Sequence, residues 1–150
     1  MNIEKYLLDI NAPAVVRMTQ GPLSVENIRR AAGGLKYFIA DFNGCKMSDK
    51  KEMLEQFAER LKFPEHFGFN LDALEECLRG LGDWIKARGY LIIVRRAESA
   101  VKGAPEDFGV LLEILRTVSG HWKKRKPGVP FKVILLAKDT ECLKNNPEIF

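Results

Sequence analysis

An α/β fold, with a small parallel sheet of three strands packed by helices, is what this 150-residue chain predicts, and two observations carry that reading. Three short runs are almost continuously apolar: LKYFIADF at 35–42, YLIIV at 90–94 and FKVILLA at 131–137. Strands buried on both faces read this way, whereas a sheet with one wet face alternates. The segments between them repeat apolar residues every three or four positions, the period of helices that could cover such a sheet. Right-handed crossovers would join the strands; their order is not written in the pattern.

Taken in order, residues 1–20 are weakly patterned and contain Pro13, which predicts an extension with an extra strand or hairpin at most. SVENIRRAA follows, with Ser24 placed to cap, good helix formers and a double-glycine stop at Gly33 and Gly34, so a short helix is expected. Residues 1–34 are therefore assigned as an N-terminal extension with a short helix, and 35–150 as the main domain. The first strand ends at the turn signal Asn43-Gly44. In SDKKEMLEQFAERL, Ser48 or Asp49 can cap, Asp49 and Glu52 have capping-box spacing, and Met53, Leu54, Phe57, Ala58 and Leu61 share one face.

The stretch PEHFGFNLDALEECLRGL, 64–81, opens as a turn rich in aromatics and glycine and becomes a helix. Pro64 and Gly68 keep its start irregular, and Asn70 is placed to cap a helix from about Leu71. Leu71, Leu74, Cys77, Leu78 and Leu81 recur at helical spacing and face the core, so Asp72, Glu75, Glu76 and Arg79 face outward. YLIIVRR is the second strand; a polar loop with Gly103 leads to a helix from about Pro105 to Trp122. Pro127 and Pro130 break the chain before the third strand, and the tail CLKNNPEIF at 142–150 is too short and mixed to read.

A hydrophobic content of 46% in one chain of this length suits a single buried core. The longest apolar runs fall far short of the roughly 20 residues a membrane helix needs. MNIEKYLLDINAP mixes Glu4 and Asp9 among its apolar residues and does not resemble a secretory signal, so a cytoplasmic protein is expected. Cys45, Cys77 and Cys142 are odd in number and widely spaced, which suits reduced thiols. The net charge is +4, but its distribution matters more. Between Pro64 and Trp84 five carboxylates face one arginine, whereas Lys123, Lys124, Arg125, Lys126 and Lys132 gather before the last strand.

Little in this chain points to catalysis. His66 and Cys77 could be paired on paper, but Cys77 falls on the buried stripe, and a catalytic thiolate needs exposure and an activating charge. GCK at Gly44 and KGAP at Lys102 match no phosphate-loop pattern. Glu75 and Glu76 point about 100° apart on a helix, with no cleft in sight to tune them as acid and base. A solvated acidic face is the plain reading of that helix; against it stand His66, Phe67 and Phe69, because aromatics beside charge are common at interfaces. The basic run 123–132, with Trp122 and Phe131 as stacking platforms, offers an alternative function as an RNA-binding or ribonucleoprotein-associated module.

The contiguous run Pro64-Glu65-His66-Phe67-Gly68-Phe69-Asn70-Leu71-Asp72-Ala73-Leu74-Glu75-Glu76-Cys77-Leu78-Arg79-Gly80 resembles the signature loop and helix of the barstar family of intracellular ribonuclease inhibitors. The order of elements from about 35 to 138 is similar too. The resemblance implies a barstar-like three-stranded sheet over 35–150. It also implies an inhibitor or immunity protein whose acidic loop and helix block a ribonuclease active site, pairing with the basic groups that would hold RNA phosphate. The implied partner is a basic ribonuclease or nuclease toxin, with no membrane and no direct nucleic-acid binding. The implied partner-binding residues are His66, Phe67, Gly68, Asn70, Asp72, Glu75, Glu76 and Arg79; no catalytic residue, metal or cofactor is expected, and the protein is not expected to be an enzyme. Asp72 matches a family interface aspartate, and Glu76 takes the place of the deepest-reaching one with one extra methylene. His66, Glu75 and Arg79 depart from the family's tyrosine, tryptophan and threonine, and Thr117 and His121 fall near positions where the family has acids.

Overall fold

The computed structural model describes residues 2–138; the tail at 142–150 and Cys142 lie outside them. Four parallel strands form one sheet in the order β1-β4-β3-β2: β1 is Val15–Thr19, β2 Phe38–Asn43, β3 Tyr90–Arg95 and β4 Phe131–Ala137. The expected count of three strands is corrected by β1, which pairs Val15 with Val133 through Thr19 with Ala137. Its signal is weak for a physical reason. VVRMT lies at the sheet edge and is only half buried, so Arg17 and Thr19 are tolerated in it and no continuous apolar run forms.

Helices α1 (Ile3–Leu8) and α2 (Ser24–Gly34) contribute to one face of the sheet, and α3 (Lys50–Arg60), α4 (Leu71–Arg79), α5 (Ala97–Gly103) and α6 (Pro105–Lys123) to the other. The chain crosses from β1 to the far edge at β2, then returns through β3 to β4. A crossover of constant hand must change faces when its direction along the sheet reverses, which accounts for α2 lying opposite the other crossover helices. Alternate strand residues divide accordingly. Tyr90, Ile92, Val94, Val133 and Leu135 pack under α3, α4 and α6, with Phe42 against Phe57 at 4.5 Å between ring centres. Leu91, Ile93, Ile134 and Leu136 pack against Tyr6, Leu7, Ile28 and Ala32 from α1 and α2. Both faces of the central strands β3 and β4 are dry, and those two strands read as nearly unbroken apolar runs.

Two helices were not expected. In α1 only Tyr6 and Leu7 are buried, too few to establish a period, and Asn2 caps it by accepting from the Lys5 amide at 2.9 Å. The segment predicted as a polar loop contains α5, whose seven residues bury Ala97, Ala100 and Val101 while showing polar side chains to solvent. The double glycine lies within the end of α2, and the left-handed residue beyond it is Lys36, at φ 61°. Ser24 does not cap α2 as expected: Leu23 stands at the cap without a side-chain bond, and the Ser24 hydroxyl accepts from the Gly21 amide at 2.7 Å, closing the turn before the helix. At α3 and α4 the caps are as read: Asp49 accepts from Glu52 at 2.8 Å and Asn70 from Ala73 at 2.8 Å. Glu52 reaches back to the Ser48 amide at 2.9 Å, completing a box displaced by one residue from the expected pair.

Candidate functional site

The loop 61–70 and helix α4 form one surface. Asn70 ends the loop in extended geometry, starts α4 through its side chain, and donates its own amide to the Gly68 carbonyl at 3.3 Å. A side chain on Gly68 would press to 3.2 Å of that amide, so the close approach of the loop to the helix start leaves little room there and any larger residue would push the Asn70 side chain aside by a few tenths of an ångström. Leu74 and Leu78 are fully buried beneath α4, and Trp122 of α6 donates to the Leu78 carbonyl at 3.0 Å. These contacts fix the helix and turn its opposite face to solvent.

Asp72, Glu76 and Arg79 are exposed and Glu75 half-buried. Arg79 pairs with Glu75 at 3.7 Å, one helical turn apart. Among the described residues Asp72 and Glu76 have no ion-pair partner, so the charge left uncompensated on this helix is concentrated at those two positions. A groove of about 300 Å³ runs beside Glu76, with Glu76 and Asp83 as its carboxylates and His66, Gly68 and Gly80 in its walls. Asp83 was not among the expected site residues. The short 3₁₀ turn Leu81–Asp83 folds it back until its Oδ2 lies 3.6 Å from where a Gly80 side chain would begin. Its place in the acidic segment was the available signal.

The aromatics divide differently from expectation. Phe67 is buried, at 6% exposure, and cannot itself offer a large contact area. It stands in a row with Trp84, Phe63 and Phe69: ring centres are 6.2 Å apart for Phe63 and Trp84, 4.9 Å for Phe63 and Phe67, and 4.8 Å for Phe67 and Phe69. Phe69, the outermost, is 54% exposed and sits at φ 50°, a left-handed conformation uncommon for a bulky residue. This ring, absent from the expected site, is the exposed aromatic of the loop, while His66 is exposed beside it.

In the neighbouring basic flank Arg125 and Lys132 are committed to structure, while Lys123, Lys124 and Lys126 are exposed. Arg125 lies 3.7 Å over the Trp122 ring and donates to the Arg79 carbonyl at 2.9 Å, closing the end of α4. Burial, and then the charges of Arg125 and Arg79, push the His121 imidazole below its ordinary pKa. Thr117 returns its hydroxyl to the Glu113 carbonyl at 3.0 Å. The expected stacking platforms are corrected: Trp122 and Phe131 are both core residues, at 2% and 1% exposure. Lys132 is also buried, donating to the carbonyls of Asp9 at 2.7 Å and Ala12 at 3.0 Å, and so leaves the basic surface of 123–132.

None of the curated proteins matches the sequence. Among solved structures the chain resembles the Aeropyrum pernix ORC2 protein in its ADP form, at a TM-score of 0.66 and 19% identity over 98% of this chain and 42% of that one. Cdc6p from Pyrobaculum aerophilum gives 0.59 and 14% over 89% and 34%, and a Walker-type ATPase of Pyrococcus abyssi gives 0.56 and 11% over 98% and 47%. The chain spans less than half of each of these structures, and at such identities the likeness is one of fold. A family model described as Barstar (barnase inhibitor) matches residues 37–136, which take in β2 to β4 and the whole acidic surface. The chain belongs to the barstar family.

Proposed function

We propose that this protein is an inhibitor or immunity protein that binds a basic ribonuclease or nuclease toxin in the cytoplasm and occludes its active site. The observation that carries the proposal is the pair of exposed carboxylates Asp72 and Glu76, without an ion-pair partner among the described residues, on a helix whose Glu76 edges a groove and whose preceding loop turns a phenyl ring outward. A cleft built to hold RNA phosphate is positive, and a rigid helix bearing two free carboxylates complements it. Phe69 and His66 would supply contact area next to the charge, and Asn70 and Gly68 the loop shape. The protein would act by occupancy, with no catalysis of its own and no cofactor. The solved structures it resembles include ATPases, but the loop after β1 has a single glycine, Gly21, and no lysine, so it lacks the pattern that cradles a triphosphate.

The basic segment supports the RNA-binding alternative less well, since Lys132, Trp122 and Phe131 are all buried. The test captures partners from native lysate on the wild-type chain and on Asp72→Ala/Glu76→Ala, then assays each eluate for ribonuclease activity before and after dissociation in strong salt. The expected result is a small basic nuclease on the wild type alone, inactive until released. Identical captured material on both proteins, or RNA retained on both, would sink the reading.

A further inference from the structure

A second site, on a different part of the molecule from the acidic helix, lies across the carboxyl ends of β1, β4 and β3. There the residues just beyond the strands, Gln20, Lys138 and Arg96, meet around a cleft of about 460 Å³ whose walls also include Gly21, Glu98 and Ser99. Its position has a topological cause. The crossover after β1 leaves over one face of the sheet and the crossover after β3 over the other, so the loops at these strand ends part and leave a crevice between them. In open α/β sheets that crevice is where ligands bind.

The chemistry of the walls selects for anions. Arg95, the last residue of β3, is engaged by Asp41 at 2.8 Å. Arg96, the next residue, has no carboxylate partner among the described residues. Its guanidinium donates to the Cys45 sulfur at 3.7 Å, and its backbone amide donates to Gln20 Oε1 at 3.4 Å. Lys138 likewise has no ion pair among the described residues. The cleft's one carboxylate, Glu98, accepts from the Lys138 amide at 3.4 Å. Two cations therefore meet one acid, and the acid is turned to backbone. Gln20 and Ser99 add neutral donors of the kind that orient an oxyanion. The backbone is held close there, because a side chain on Gly44 would lie 2.1 Å from the Arg96 carbonyl oxygen, so the arginine springs from a tightly packed base.

We infer that this cleft binds a phosphate-bearing small molecule through Arg96 and Lys138, with Gln20 and Ser99 as orienting donors. Its volume exceeds what a single phosphate fills, and with two cations in its walls it can take two linked phosphoryl groups. The site needs no phosphate loop, since its cations come from the ends of β3 and β4.

Titration calorimetry on the full-length chain, with pyrophosphate and with ADP as probes, tests the assignment. Saturable binding is expected, weakened about tenfold or more by Arg96→Gln and by Lys138→Gln, the loss that follows from removing one charge-assisted hydrogen bond. Lys138 is exposed at the end of β4, so its variant keeps the test valid even if Arg96→Gln folds poorly; thermal melts of both establish which applies. Equal affinity for the two probes supports recognition of phosphate alone, and tighter ADP binding supports a cleft that also takes the nucleoside. No heat with either probe at millimolar concentration, or affinity unchanged in Lys138→Gln and any folded Arg96 variant, overturns the inference.

Discussion

Glu75 and Glu76 are neighbours in sequence but not in electrostatic circumstance, because Arg79 lies one turn from the first and leaves the second uncompensated. In the proposed complex Glu76→Ala should therefore weaken association by about 2 kcal/mol or more, the range of a central interface residue. Glu75→Ala should cost less than about 1 kcal/mol, since it removes a charge already shared with an exposed partner. Calorimetry of each variant against the captured nuclease measures both, and equal losses would mean that the helix acts through diffuse charge. The cysteines give a second contrast. Cys45 is exposed, and its hydrogen bonds to Ser99 and then Arg96 lower its pKa; burial, then the Glu76 charge, raise that of Cys77. In a Cys142→Ser background at neutral pH, Cys45 should react with a thiol reagent well before Cys77, as peptide mapping after short exposure would show; the reverse order would refute the assigned environments. At this scale the sequence was most legible where a period governs exposure, as along α4. It was least legible in the loop before it, where one left-handed residue decides that Phe69 rather than Phe67 meets solvent.

Helices with several turns and a side-chain cap, α3 and α4, follow from pattern alone, and α6 does so from its apolar stripe. The elements that escaped are short, α1 and α5 with six and seven residues; β1, allowed for only as an extra strand in the extension and not as part of the main sheet, is a five-residue edge strand. Their stability comes from docking on the finished core and not from propensity, so little of it is written locally. Lys132 shows how such docking is held. Its ammonium crosses from β4 to the carbonyls of Asp9 and Ala12 and lies 5.0 Å over the Tyr6 ring. Lys132→Met removes both hydrogen bonds and should destabilise the fold by about 1–2 kcal/mol, the loss expected when part-buried carbonyls are deprived of a charged donor. Urea denaturation measures this, and an unchanged midpoint would show that the lysine is dispensable. At the start of α4, Asn70→Ala should cost about 1 kcal/mol through the lost cap. That variant should also weaken nuclease binding, because Gly68 and the loop lose their tether to the helix.

Considered whole, the molecule has one sheet whose central strands are dry on both faces, and the segment read from sequence as an extension forms most of one cover. Removing residues 1–34 would strip β1 from the edge and expose Leu91, Ile93, Ile134 and Leu136 to water. A chain beginning at Leu35 should therefore lose cooperative unfolding and bind a hydrophobic dye, whereas a sharp melt close to that of the full-length protein would support a domain boundary at 34. The family's signature is local and was recognisable in a contiguous run of side chains. The strand order β1-β4-β3-β2 is a property of long-range pairing, and no local pattern encodes it.

Phe69 holds a phenyl ring in water on a backbone conformation that a bulky residue seldom adopts. If a nuclease covers that ring, part of the complex's thermodynamic signature is already present in the free protein. Association should show a negative heat-capacity change that shrinks in Phe69→Gly, because apolar surface removed from water is the common source of such a change. Glycine also relieves the left-handed constraint, so the same variant should melt at least as high as the wild type when unbound. The residue would thus be one at which solitary stability is given up for recognition, and the two effects of a single substitution, opposite in sign, can be read by calorimetry on the protein alone and with its partner.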